Sequence, residues 1–305
     1  MIVDPMLATS GPLPTDEEHW AFEPKWDGFR AIVGRDGRRL RIMSRRGTDL
    51  AGRLPELAPL MDAVPAGTTI DGELVLFDSE GRVDFEGMRR RGFGQPSPGR
   101  LVFVAFDVLT LAGEEVIAQR WDVRRALLVE LGLDGPAWCT TPAYLGEGIT
   151  LFEATRAQGI EGVVAKRLDA PYRPGVRTTA WVKTKHFTRA HFDVLGVAPT
   201  PEGRAALLLG WRRAGAPAGY AGRLEWGFTR ERFEELIARA RPTDLTPFGG
   251  PAPPGAVFFK PGIMADVRFL AGSQLRHATL QSLVFDPGYD GRPADRSRAR
   301  RWTPL

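Results

Sequence analysis

The chain has a single cysteine, Cys139, in 305 residues, so neither an intrachain disulfide nor a cysteine-based metal cluster is open to it. Lysine is almost as scarce, with five among 41 lysines and arginines. No apolar run approaches the roughly 20 residues that a membrane span needs. The opening stretch, "MIVDPMLATS", lacks the basic and apolar regions of a secretory signal. Together these absences lead to the expectation of a cytoplasmic protein without a membrane. What is present is ordinary for a globular chain: 43% hydrophobic and 26% charged residues, over a length that suits one large domain or two smaller ones. A formal charge of +4 suits a polyanionic partner without selecting one. The basic runs "RRGTDLAGR" (45–53), "MRRRGFG" (88–94) and "DRSRARRW" (295–302) fit phosphate contacts and solvated faces equally well.

Residues 1–187 read as mixed α and β. "FRAIVGR", "RLRIMSR", "TTIDGELVLF" and "LVFVAFDVLTL" are short apolar or alternating runs bounded by Gly, Pro or Asp, which predicts strands. "VRRALLVELG" after Asp122 as N-cap predicts a helix. So does "TLFEATRAQG", with Thr150 and Glu153 in capping-box spacing and Gly159 as its stop; the strand "IEGVVAKRL" follows. From about Phe192, "FDVLGVAP", "AALLLGWRR", "GRLEWGF", "AVFFKPG" and "MADVRFLA" predict five short strands, interrupted by the helix "TRERFEELIARA". That pattern suits a small closed barrel such as an OB-fold. The expected organisation is thus α+β: a domain of antiparallel sheets and helices over 1–187 and an OB-fold barrel over 188–305. The boundary falls in "KHFTRAHF", with a swivelling linker at 186–191.

The rare lysines stand at Lys25, Lys166, Lys183, Lys185 and Lys260. A lysine, unlike an arginine, can lose its proton and attack an electrophile. In "WVKTK" a strand would turn Lys183 and Lys185 to one face, as a phosphate grip or as a solvated edge. In "TIDGELVLF", Asp71 and Glu73 share one face, and Glu161 stands at the mouth of an apolar strand. Two such acids brought together could hold Mg²⁺, which takes few protein oxygens; alone, each also fits a strand-end acid facing water.

Taken in order, "KWDGFR" (25–30), "SRRG" (44–47), "DGELV" (71–75), "FVAFDVL" (103–109), "EGVVAK" (161–166) and "WVKTK" (181–185) resemble the serial motifs of the covalent nucleotidyltransferase superfamily. "PMLA", "EPKWDGFRA" and "VLGVAPTPEGRAALLLG" look most like short bacterial ATP-dependent DNA ligases, the ligase C type and the ligase domain of ligase D. The resemblance spans essentially the whole chain and implies a nucleotidyltransferase domain followed by an OB-fold. It also implies a monomeric enzyme that seals nicks in duplex DNA in repair, located in the cytoplasm at the nucleoid.

By resemblance, Lys25 attacks the α-phosphate of ATP and carries AMP, while Lys183 and Lys185 grip that phosphate. Arg30 and Glu73 hold the ribose, and Phe106 stacks on adenine. The main chain around Glu23 and Pro24 meets the adenine edge. Glu161, with Glu73 beside it, holds Mg²⁺ or Mn²⁺. Arg45 contacts the nucleic-acid phosphate or the ribose side, and Asp27 positions the lysine or the reactive 3′-OH. Ku-type or primase partners are implied by the relatives. An RNA ligase, a ligase preferring a 3′-ribonucleotide end, and an impaired nucleic-acid-binding relative are the competing readings. The resemblance thins at "LRHATLQSLVFDPG" (275–288), where the family's basic R-x-D-K motif would end the barrel. Arg276, His277 and Asp286 match in part, with Arg292 and the tail "RSRARRW" as substitutes. Lys166 departs in another way: strict alternation puts it opposite Glu161, which predicts a bulge or a secondary contact. Lys260 has no assigned role.

Overall fold

In the computed structural model, residues 3–211, 219–249, 251–270, 275–287 and 289 are described. The chain divides into two compact units, Met1–Lys185 and His186–Leu305.

Two sheets build the first unit. One runs in the order Leu7–Ser10, Arg177–Lys185, Gly162–Arg167, Trp20–Pro24, Tyr144–Leu145. The other runs Arg39–Ser44, Phe29–Asp36, Thr68–Phe77, Arg100–Leu111, Trp138–Thr140, Asp134–Gly135. The ladders are antiparallel as expected, except that Leu7–Ser10 pairs parallel with Arg177–Lys185 and Arg100–Leu111 parallel with Trp138–Thr140. Alternation explains which faces are covered. Ile70, Leu74 and Leu76 sink into one apolar core with Leu101, Phe103 and Val108, which leaves Asp71 and Glu73 on the opposite face. In the first sheet, Val163 and Ala165 pack with Trp20, Phe22 and Leu151, which turns Val164 and Lys166 the other way.

Both expected helices start earlier than their capping signals. The first spans Trp121–Glu130, so Asp122 lies inside it and Arg120 holds the N-cap position. Its Arg124 is fully buried, and its Nε and Nη2 bond the Asp107 carboxylate at 2.8 and 2.9 Å, which ties the helix to the strand carrying Phe106. The second spans Gly148–Ala157. Its cap is not Thr150 with Glu153 but Glu17, 131 residues away, which accepts from the backbone N–H of Gly148 and Ile149 at 3.1 and 3.2 Å. Gly159, with φ of 69°, follows its C-terminus as expected.

The basic run at 88–94 sits in the helix Phe85–Gly92, capped by Asp84. Arg90 donates to Ser97, and Arg91 donates to the carbonyls of Ser97 and Gly99 and pairs with Glu56. Arg90 and Arg91 thus brace the loop after the helix, while Arg89 stays half exposed beside Glu86.

The second unit is a seven-stranded sheet with one described α-helix, Arg230–Arg239. The segment expected as a linker is instead the first half of a 13-residue strand, Phe187–Pro199. Residues 187–193 pair with Ile263–Leu270, and 193–199 pair with Ala205–Trp211, the two halves separated by a shift of register at Leu195. Regular pairing takes up residues 187–191 and leaves His186 alone between the consecutive strands Arg177–Lys185 and Phe187–Pro199. The region 275–288, expected as a motif, contributes the strand Thr279–Phe285, which pairs with Ile263–Leu270. The helix buries Phe233, Leu236 and Ile237 against the sheet, and Thr229 caps it.

The closed barrel is not found. The end strands Gly219–Leu224 and Thr279–Phe285 do not ladder with each other among the described residues; a single parallel bridge, Trp226 to Thr279, joins the two ends. The fold is therefore OB-like in strand order but open. Among the described residues, no helix is long and apolar enough to cross a membrane. Arg292 and the 295–302 tail lie outside the described residues.

Candidate active site

The chain crosses between the two sheets of the first unit at the turn of residues 25–28, between the strands Trp20–Pro24 and Phe29–Asp36, and again at 141–143, between Trp138–Thr140 and Tyr144–Leu145. The backbone N–H of Lys25 donates to the Gly162 carbonyl at 2.8 Å, which places the lysine at the mouth of the Gly162–Arg167 strand. Both glycines of the motifs are sterically required here. A Cβ on Gly28 would lie 2.0 Å from the Leu74 carbonyl oxygen, and one on Gly162 would lie 2.1 Å from that of Thr184. The turn opens on a cavity of about 180 Å³.

Lys25 Nζ bonds Glu161 Oε2, and Lys185 Nζ bonds the other oxygen, Oε1, at 2.6 Å. The Glu161 side chain is only 3% exposed. Burial alone would raise its carboxyl, but the two ammonium groups outweigh that and hold it below the usual carboxylate range. Glu161 itself does not line the cavity; it stands behind Lys25. Lys183 does line it. Burial lowers its ammonium, and the positive charges of Lys185 and Lys25 lower it further. Arg45, exposed in the turn after Arg39–Ser44, lies at the cavity wall.

Glu73 lines the cavity opposite, as the cross-strand partner of Arg30. Burial pushes its carboxyl up to about 7, against the lowering effects of Arg30 and Lys25. Arg30 is held rigidly: its Nε and Nη2 bond the fully buried Asp71, both at 2.5 Å, and Nη2 also reaches the Met6 carbonyl. Tyr172 donates to the same Asp71 at 2.6 Å. The guanidinium lies 4.5 Å from the Phe106 ring centroid, so Arg30 and Phe106 form one wall.

At the far end, Lys166 is buried and its Nζ lies 2.8 Å from Glu23 Oε2. The ladder from Gly162 to Lys166 is regular, so the expected bulge is absent. Glu161 precedes the strand, and alternation therefore says nothing about which side it takes. Pro24, Trp26, Arg177 and Trp181 complete the lining.

The structure thus brings together Glu23, Pro24, Lys25, Arg30, Arg45, Glu73, Phe106 and Lys183 on one cavity, with Glu161 and Lys185 directly behind Lys25. Asp27 is half-buried next to them and does not line it. Trp181 and Arg177 were not expected, although both share the alternation of Lys183 along one strand face. Asp71, read as a strand-end acid or one of a Mg²⁺-holding pair, is instead buried against Arg30, and Tyr172 carries no local signal, because its role exists only across 101 residues of chain.

The donor set fits a divalent cation. Mg²⁺ takes one or two carboxylates and completes its shell with water and substrate phosphates. Glu73 is a cavity carboxyl that burial leaves short of compensating charge, and Glu161 already binds a cation at each oxygen. Among the described residues, no group of three or more acidic, His or Cys side chains forms a closed metal cage.

A lysine that lines a cavity and stands on a crossing between two sheets, followed by an OB-like unit, is the arrangement of the nucleotidyltransferase type of ligase fold. The model of the ATP-dependent DNA ligase domain family matches residues 5–185, more than half of the chain. The chain belongs to that family of enzymes. The multifunctional non-homologous end joining DNA repair protein LigD of Mycobacterium tuberculosis is 36% identical over 278 residues, covering 87% of this chain and 36% of LigD. DNA ligase C1 of Mycolicibacterium smegmatis is 36% identical over 231 residues, covering 69% of this chain and 65% of the relative. The solved structure of mycobacterial DNA ligase D complexed with ATP and MES is 34% identical, with a TM-score of 0.57, over 93% of this chain and 96% of the other. This chain spans about a third of the length of the LigD relatives.

Proposed function

We propose that this chain seals nicks in duplex DNA through a lysyl-adenylate on Lys25. The single observation that carries this reading is the position of Lys25. It lies on one of the two crossings between the sheets, in contact with a buried carboxylate and on the wall of the cavity.

In the first step Lys25 Nζ attacks the α-phosphorus of ATP; the bond to the β-phosphate oxygen breaks and pyrophosphate leaves. The attacking nitrogen must shed a proton, which solvent takes, while Glu161 in contact with it holds and orients the group. Arg cannot substitute, because a guanidinium keeps its proton. In the second step a 5′-phosphate oxygen attacks the same phosphorus, the P–N bond breaks, and AMP passes to the DNA while Lys25 recovers its amine. In the third, the 3′-OH attacks the 5′-phosphorus and AMP leaves. All three are displacements at phosphorus, so positioning and charge supply most of the catalysis. Lys183 and Lys185 carry that charge, Phe106 and Trp181 offer flat faces to a base, and Arg30 with Glu73 lies where a ribose would meet the wall. A divalent ion held by Glu73, and by Glu161 once Lys25 and Lys185 turn to the phosphates, would neutralise phosphate charge when bound.

The likeness to the non-homologous end joining LigD proteins supports end-joining repair as the setting, and the resemblance implies Ku-type or primase proteins as partners. A nick is met through backbone phosphates, so affinity should fall steeply with salt and vary little with sequence. The test is intact mass of the purified protein with ATP and a divalent cation, then with nicked duplexes carrying a 3′-deoxynucleotide or a 3′-ribonucleotide. A single adenylyl group should appear and then discharge with sealing of the nick. Protein that never gains AMP overturns the reading; discharge on RNA nicks alone moves it to an RNA ligase.

A further inference from the structure

The arginines of the first unit include many that the fold employs and a cluster that it leaves open. Arg35 donates to the carbonyls of Gly37, Met61 and Val64, Arg53 to that of Gly92, and Arg124 to Asp107. Arg38, Arg39, Arg41, Arg45 and Arg46 are five within nine residues. Among the described residues, none of their guanidinium groups has a hydrogen bond, an ion pair or a ring contact. Two acids flank the cluster. Asp49 accepts from the backbone N–H groups of Ile42 and Ala51, and Asp36, across the ladder from Arg39, forms no ion pair with it. An uncompensated cluster of this kind repels itself, so the fold draws no stability from it.

Alternation places part of the cluster. Arg39–Ser44 is the edge strand of its sheet, laddered with Phe29–Asp36. Leu40 and Ile42 turn into the apolar core of that sheet, so Arg39, Arg41 and Met43 take the opposite face. That is the cavity face. Met43 packs in the cluster that contains Ile32, Phe106 and Trp181, and the last two line the cavity. Opposite Arg41 across the ladder stands Gly34, which has no side chain to cover it. Arg45, just beyond the end of the strand, stands at the cavity wall. Arg39, Arg41 and Arg45 thus form a file along the sheet edge that ends at the cavity.

A nucleic-acid strand presents singly charged phosphates in file, and guanidinium groups without competing acids bind them through paired hydrogen bonds. We propose that Arg39 and Arg41 form a phosphate-binding rail that carries one arm of the duplex up to Arg45 and the cavity. The proposal rests on the nick-sealing reading above and goes beyond it in naming a surface away from the reacting atoms. Arg39–Ser44 spans about 17 Å, and a nucleic-acid strand rises about 3.4 Å per phosphate, so the rail requires an arm of about five nucleotides beside the nick.

The experiment separates the steps. Protein is preloaded with AMP, and its discharge onto nicked duplexes is followed by intact mass across a salt series; AMP uptake from ATP is timed separately. Arg39→Gln with Arg41→Gln should raise the half-saturating DNA concentration for discharge on the order of tenfold, and should reduce the slope of log affinity against log salt by about two. AMP uptake should stay as in wild type. Arg39→Lys with Arg41→Lys should restore most of both, because the charge is kept. If the double glutamine variant does not fold, Arg41→Gln alone decides, with an expected slope change of about one. Shortening one arm of the duplex below about five nucleotides should abolish the difference between wild type and variant, and the arm that does so gives the polarity of the rail. Arg89→Gln, which removes an exposed arginine paired with Glu86, is the control for net charge against Arg41→Gln. An equal loss in that control, an unchanged salt slope in the folded variants, or a difference that survives on short arms overturns the proposal. So does a variant slowed in AMP uptake rather than in discharge, because its arginines then serve the triphosphate of ATP. Wild type that takes up no AMP, or never discharges it onto a nick, instead sinks the lysyl-adenylate reading.

Discussion

Two lysine–glutamate clusters flank the same cavity, two lysines on Glu161 and one on Glu23, and they differ most in how far the lysines are buried. Glu161 and Glu23 are equally buried, each 3% exposed. Lys25 and Lys185, on Glu161, keep 19% and 15% of their side chains exposed, whereas Lys166, on Glu23, keeps 2%. Identical side-chain chemistry therefore serves two ends. Around Glu161 the cations reach solvent and can exchange a carboxylate for a phosphate. Around Glu23 the pair is sealed and holds its geometry. Burial of the lysine, not the identity of its partner, separates a reacting group from a fixed one.

Breaking the reactive cluster should have the largest effect. Lys25→Ala and Lys25→Arg should both abolish the AMP adduct in intact-mass measurements, the arginine because it keeps its proton. An adduct on Lys25→Arg would put the nucleophile elsewhere. Glu161→Gln removes the charge that clamps Lys25 and Lys185, and adenylylation should slow on the order of 100-fold in single-turnover assays. A change of less than threefold would mean that the clamp is incidental to the chemistry.

The Arg30 wall tests the opposite regime, in which the effect falls on stability. Asp71→Ala leaves a largely buried guanidinium without its partner and should cost about 3–5 kcal/mol in chemical denaturation. Loss below 1 kcal/mol would show that water or Tyr172 replaces the pair.

Glu73 gives a pH signature of smaller size. Its folded carboxyl titrates at about 7 against an ordinary value of 4.5. Between those values the folded state retains a proton that the unfolded chain releases, so this group makes stability fall as pH rises. The linkage amounts to at most about 3 kcal/mol, less where solvent reaches the side chain. Glu73→Gln should flatten that slope in metal-free buffer and stabilise the protein above pH 7. Mg²⁺ added to wild type should have the same flattening effect. A slope identical in wild type and variant would remove Glu73 as its source. Smallest of all, Lys260→Ala changes an exposed side chain of the second unit, outside both clusters, and should alter stability by less than about 0.5 kcal/mol. A larger loss would show that Lys260 carries a contact its exposure does not suggest.

Much of this was legible in the chain. Alternation in "TTIDGELVLF" separated core from cavity, because a strand has period two. The lone lysine of "KWDGFR" stood out in an arginine-rich composition. Capping was misread where the true cap was remote, as with Glu17, since the N–H groups at a helix start accept any carboxylate that the fold delivers. The linker was misread because its pairing partner, 264–270, lies some 75 residues further along the chain. In the three-arginine run, Ser97, Gly99 and Glu56 engage Arg90 and Arg91, contacts that no local pattern announces, while Arg89 stays half exposed.

The sequence by itself determined the strand faces, the motif glycines and the set of chemically capable residues, because those follow from periodicity, sterics and side-chain type. The tertiary structure decided which lysine stays near solvent and which is sealed, that Asp71 and Tyr172 lock Arg30, and that Glu161 stands behind Lys25 rather than in the cavity. Those are matters of burial and of contacts between distant segments. Neither has a local signature, because burial depends on what the rest of the chain places on top.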